Sequence, residues 1–207
     1  MPGGDRHLHP LRAPRLPPRT AEQGRGVAQR RWLAHVEGPF AYLEKLLQGK
    51  ARALIITGPI GSGKTRTIAR LAAHLHSSGG KVGGVISPRV LERGATVGYL
   101  VRDVCTGKEH ILCSNSPPGI KFRGYHFSPE GIAFANRVLT QAASEAQIVV
   151  IDEVGPFELS GGGFAPGVMA VRKARVPLIF SVRPHLVGRV SDWLELPRAT
   201  PIVRLAP

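Results

Sequence analysis

Long apolar runs are missing from this sequence. No stretch approaches the roughly 20 residues that span a bilayer, which excludes a transmembrane helix. The N-terminus has no apolar core either and is broken by prolines, so it does not read as a signal peptide and a cytoplasmic protein is expected. Cysteine is scarce: Cys105 and Cys113 are the two present. They fit no metal-ligand spacing and are expected to stay reduced. Aromatic residues make up 6% of the chain and form no obvious stacking platform. Acidic residues are few, 14 Asp and Glu against 28 Lys and Arg, for a net charge of +14. The basic excess is spread out. Residues 1–50 carry nine Lys and Arg against four Asp and Glu, and residues 51–207 carry nineteen against ten. A nucleic-acid partner is one reading of that excess. An arginine-rich composition around a pocket that needs cations is the plainer one.

What is present begins at residues 51–57, ARALIIT, which run into GPIGSGKT at 58–65. The first segment holds the apolar run Leu54–Ile56, of buried-strand type. Leu71, Ala72 and Leu75 recur afterwards at helical spacing. Between them the pattern GxxxxGK followed by Ser or Thr is satisfied from Gly58 to Thr65. Strand before and helix after argue against a chance glycine-rich turn. Gly58, Gly61 and Gly63 let the chain wrap a phosphate and turn backbone N–H groups inward. A helix starting near Lys64 adds the positive end of its dipole. Lys64 supplies a full charge to the β- and γ-phosphates, and the Thr65 hydroxyl is placed for Mg²⁺. The nucleotide contacts are therefore expected from Gly58, Pro59, Ile60, Gly61, Ser62, Gly63, Lys64, Thr65 and Arg66.

Three segments are expected. Residues 1–25 are rich in Pro, Gly and Arg without periodicity and read as a disordered basic arm, in which His7 and His9 have no companion ligands. Residues 26–48 read as a helical extension, with Trp32, Val36, Phe40, Leu43 and Leu47 three or four apart and a break at Gly38-Pro39. Residues 49–207 read as one α/β domain. Strands are expected at 81–87, 96–104, 109–113, 147–152, 176–182 and 201–205, and helices at 128–143 and 164–175. Ser128 is the N-cap and Pro129 opens the first turn of the 128–143 helix. Cys105–Lys108 turns a hairpin, and 114–122 reads as a loop. The alternation argues a mostly parallel sheet with helices on both faces and an antiparallel hairpin annex.

The second chemical motif is IVVIDE at 148–153. An apolar strand ending in Asp puts a carboxylate at the C-terminal sheet edge, where the phosphate loop also opens. Asp152 is the expected Mg²⁺ residue, directly or through water, and Glu153 the group that deprotonates an attacking water. Alone the motif is weak; with the loop it is strong.

Together GPIGSGKT, GGVISPRV with VGYLVRDVCTGKEHIL, and VVIDEVGPFEL resemble the THEP1-type nucleoside-triphosphatases, in the same order and over roughly residues 52–185. The resemblance implies a RecA-like P-loop NTPase fold and Mg²⁺-dependent hydrolysis of the γ-phosphate of ATP, GTP and other triphosphates, with broad base selectivity. It puts Lys64 and Thr65 on phosphate and metal, Asp152 on the metal, and Glu153 as base. Glu158 matches a family glutamate, as a supporting partner or a helix cap. Arg183, in Arg183-Pro184-His185, is matched to an Arg-bearing segment and read as an internal arginine finger, with a surface Arg–Pro turn as the alternative. Two departures stand out. The extension before Gly49 has no family counterpart, and the family's C-terminal helix is expected to be missing because the sequence stops soon after Leu205. A slow nucleoside-triphosphatase is the favoured reading, with the oligomeric state open and a monomer preferred. A kinase of a nucleoside or small metabolite is the first alternative; Arg89, Arg93 and Arg102 could be misread as the arginines of its lid, but they fall in an expected hairpin and not in a helical lid. A nucleotide-dependent switch or adaptor using the basic arm is the second.

Overall fold

A computed structural model of the protein describes residues 38–207. The expected basic arm and the first part of the expected extension lie outside the described residues. Ten strands form a single sheet in the order β10-β1-β9-β8-β2-β4-β5-β7-β6, with β3 also pairing to β4. Five strands are joined by parallel pairing: β1 (Ala53–Thr57), β2 (Val82–Ile86), β8 (Ile148–Ile151), β9 (Leu178–Val182) and β10 (Ile202–Arg204). Every residue of β1, β2, β8 and β9 is buried, as expected of parallel strands covered on both faces.

The alternation of side chains sorts the core into two layers. Ala53, Ile55, Val149 and Ile151 face a cluster built with Phe134, Leu139, Val168 and Val171 from helices α3 (Pro129–Glu145) and α5 (Ala165–Ala174). Leu54, Ile56, Ile148 and Val150 face the opposite cluster, built with Ile68, Leu71 and Leu75 of α2 (Lys64–Ser77) and with Leu43 and Leu46 of α1 (Ala41–Leu47). The expected α/β architecture with helices on both faces is therefore present. Ser128 caps α3 as read from the sequence, its hydroxyl accepting the Gly131 N–H at 3.1 Å.

Helix α1 packs with a different register from the expected one. Leu43 and Leu46 are buried, whereas Leu47 is 54% exposed. Phe40 lies over α2 instead, edge-on to His74 with ring centroids 5.3 Å apart. With only two turns, α1 meets the core along one narrow edge that Leu43 and Leu46, three apart, suffice to fill.

The antiparallel annex is larger than a hairpin. It comprises β3 (Arg89–Glu92), β4 (Ala95–Asp103), β5 (Glu109–Ser114), β6 (Ile120–Phe122) and β7 (Tyr125–Phe127). The hairpin of β4 and β5 was expected; β3, β6 and β7 were not, and 114–122 is not all loop. These strands have three or four residues, too few for an alternation to register. Their turns also lack the usual signal. Arg93 and Gly94, joining β3 to β4, both have positive φ (49° and 81°), the geometry usually marked by Asn-Gly. A four-residue helix α4 (Pro156–Leu159) and, between β9 and β10, a short 3₁₀ turn (Pro184–Leu186) with helix α6 (Val187–Trp193) were likewise not placed from sequence.

Candidate active site

The phosphate loop leaves the C-terminal end of β1 and feeds α2. Gly61 and Gly63 take φ of +88° and +86°, a region side chains with a Cβ rarely enter, and Gly63 is the residue before the first helical turn. The Lys64 side chain is buried and curls along the loop, donating to the carbonyls of Gly58 and Pro59, each at 2.9 Å. Burial lowers its pKa, opposed by the nearby carboxylates of Glu153 and Asp152. The Ser62 Oγ is buried and has no hydrogen-bond partner among the described residues. Pro59, Ile60, Gly61 and Arg66 are exposed around the loop, Ile60 at 70%.

Strand β9 separates β1 from β8, so the loop and the acidic motif sit at the same sheet edge with one strand between them. Asp152 follows β8 directly and is 2% exposed. Its Oδ1 accepts the Ser181 hydroxyl at 2.6 Å, its Oδ2 accepts the Ser87 N–H at 3.2 Å, and the Thr65 hydroxyl is near enough to favour its charge. The two expected metal residues are thus neighbours in the site. Burial pushes the Asp152 pKa up, against the pull of those hydrogen bonds.

Glu153 turns the other way. Its φ of +60° is left-handed, an uncommon and costly conformation for a residue with a Cβ. The next two N–H groups explain how the turn is held. Glu153 N–H donates to Ser181 Oγ at 2.7 Å, and Val154 N–H to the Ser181 carbonyl at 3.0 Å. The result points the Glu153 carboxylate into a half-open position, where Arg183 Nε meets it at 2.7 Å. Arg183 stands one residue past β9, so it sits at the same edge as the loop. Arg183 and Arg89 both act on the charge of Lys64.

Ser181 is the site residue that sequence reading passed over. It joins the Asp152 carboxylate to the Glu153 backbone and is fully buried. The signal was there: it is the only polar residue in the strand LIFSV. Glu158 proves to be a buried carboxylate within α4 that accepts the Gly155 N–H at 2.9 Å. Arg93 and Arg102 belong to annex strands and turns, and Arg102 pairs with Glu109 across β4 and β5. Cys105 and Cys113 are free thiols, the second buried with its pKa pushed up to about 11. No group of three or more metal-type side chains occurs among the described residues, and no helix there is long and apolar enough to cross a membrane.

Comparison with known proteins agrees with this fold. A family model described as NTPase matches residues 53–202. The nucleoside-triphosphatase THEP1 of Thermofilum pendens is 36% identical over 149 residues, covering 70% of this chain and 82% of that protein. The THEP1 of Korarchaeum cryptofilum is 36% identical over 156 residues, covering 74% and 78%. Among solved structures, THEP1 from Aquifex aeolicus shares the fold with a TM-score of 0.59 at 22% identity, over 75% of this chain and 90% of that one. A human cancer-related nucleoside triphosphatase matches with a TM-score of 0.54 at 25% identity, over 74% and 88%. On the family match and on the identity to these relatives, the chain belongs to the P-loop NTPase family that contains the THEP1 nucleoside-triphosphatases.

Proposed function

We propose that the protein hydrolyses the γ-phosphate of ATP, GTP and other nucleoside triphosphates, giving the diphosphate and phosphate, slowly and with Mg²⁺. The observation that carries this reading is the pairing of Glu153 with Arg183, beside Asp152 and facing the loop that holds Lys64. A base for water and a cation for the transferring phosphoryl group are what hydrolysis needs in addition to a phosphate cradle.

Gly58–Thr65 cradle the phosphates through backbone N–H groups and the Lys64 ammonium. The unpartnered, buried Ser62 hydroxyl suits a phosphate oxygen. A buried carboxylate beside a hydroxyl is an all-oxygen donor pair of the kind Mg²⁺ takes, so Asp152 and Thr65 would hold the ion. When bound, Mg²⁺ supplies charge neutralisation at the β- and γ-oxygens. Glu153 takes the proton of the attacking water. Arg183 exchanges its bond with Glu153 for one to the γ-phosphate, which frees the carboxylate to act as base. All these groups address the triphosphate, which supports broad base selectivity.

The test is phosphate release from ATP, GTP, CTP and UTP, with and without Mg²⁺, using the full chain. Turnover is expected with all four, well below the roughly 10 s⁻¹ typical of enzymes. Undiminished hydrolysis by both Lys64→Ala and Glu153→Gln would sink the assignment.

A further inference from the structure

Glu158 is 4% exposed, sits in no wall of the phosphate loop, and is not consumed by the reaction above. Its surroundings are specific. Glu158 is the third residue of α4 and reaches back to the N–H of Gly155, the residue before that helix, at 2.9 Å. This is the reverse half of a capping box. The backbone around Glu158 and Phe164 also favours the charged form. Gly163 lies against it so closely that a Cβ there would fall 2.2 Å from Oε1, and Gly163 has φ of +56°. The carboxyl group therefore meets both ends of the segment that leads from Glu153 to α5, hydrogen-bonded at Gly155 and in close contact at Gly163.

Three successive N–H groups pin the turn at Glu153. Those of Glu153 and Val154 go to Ser181, and that of Gly155 goes to Glu158. The left-handed Glu153 is thus held from one side by β9 and from the other by Glu158. We propose that Glu158 is a positioning residue for Glu153, its buried carboxyl locking the 155–163 segment and so aiming the base at the attacking water. This rests on the reading of Glu153 as base.

Ionisation is costly at that position. Burial raises the Glu158 pKa from 4.5 to about 7, with a smaller push from the Glu153 charge and against the backbone around it. The sign follows: the neutral form favours the fold below about 4.5, and that advantage is lost as pH rises to about 7. A neutral carboxyl keeps a carbonyl oxygen to accept the Gly155 N–H. The lock is therefore held best with the carboxyl neutral, and it loosens as pH rises past about 7.

The test has two arms. In the first, kcat and KM for ATP are measured from pH 5.5 to 9 for the wild type and Glu158→Gln. The wild type is expected to lose kcat at least tenfold above a midpoint near 7, with KM changing less than about twofold. Glu158→Gln, whose amide carbonyl can accept the Gly155 N–H and which cannot ionise, is expected to keep the acid-side rate to pH 9 and to lack that midpoint. A variant that keeps the wild-type midpoint would overturn the proposal. The second arm needs no variant, so misfolding of Glu158→Gln leaves the proposal exposed. Hydrogen-exchange protection of the Gly155 amide, corrected for intrinsic rate, should fall at least tenfold as pH rises across the same midpoint in the wild type. Unchanged protection overturns the lock. If Glu153→Gln stays active, the base assignment fails while the amide result still stands or falls by itself.

Discussion

The sheet has two halves that differ in burial, direction and chemistry. The parallel half is covered on both faces, and every predicted catalytic or metal residue stands at its C-terminal edge. The antiparallel half is partly open to solvent and contributes neighbours instead. Tyr99 packs edge-on against Tyr125 with ring centroids 5.6 Å apart, and Phe122 stacks on Phe157 of α4 with centroids 4.4 Å apart. Parallel strands end together, so their following turns converge on one edge and can assemble a site from distant sequence. Antiparallel strands alternate their ends, and here they brace that edge from the side.

Mutations can break this division. The largest effect is expected from Glu153→Gln, which removes the base and should lower kcat by up to about 10⁴-fold with nucleotide binding retained. Arg183→Ala should cost about 10³-fold in kcat, at the low end for an arginine finger, with little change in thermal midpoint. Ser181→Ala should be milder. It leaves the Glu153 N–H without a partner, lowering stability by about 1–3 kcal/mol in denaturant titrations, and lowering kcat about tenfold through the loosened turn. Phe122→Ala is the probe of the other half: about 1 kcal/mol of stability lost with the aromatic stack, and kcat within about twofold of wild type. A tenfold loss of kcat on Phe122→Ala would make the annex part of the catalytic machinery and erase the distinction.

The same division governs what the sequence made legible. Fully buried parallel strands are written as apolar runs, so LIIT, IVVI and LIFSV stand out, and the loop and the Asp152-Glu153 pair could be placed on one edge. Short, half-exposed strands carry no such run, and β3, β6 and β7 went unseen. Helix α4 was hidden for another reason: four residues cannot show a helical period, and Glu158, read as a supporting partner or a helix cap, gave no sign in the sequence that it is buried. Ser181 was legible in principle, as a lone hydroxyl in an apolar strand. What sequence could not reveal was that its hydroxyl serves two masters, Asp152 and the Glu153 backbone. The alignment of Arg183 was open to a surface turn as well, and only the geometry puts it against Glu153.

The left-handed backbone at Glu153 bears on laboratory evolution of this protein. Glycine adopts that conformation without strain and asparagine tolerates it well, so either would relieve about 1 kcal/mol of local strain. A campaign that selects for heat resistance alone would drift toward those residues at position 153 and discard turnover in the process. Variants recovered that way would still carry the phosphate loop intact, and would serve as traps that hold a nucleotide without consuming it.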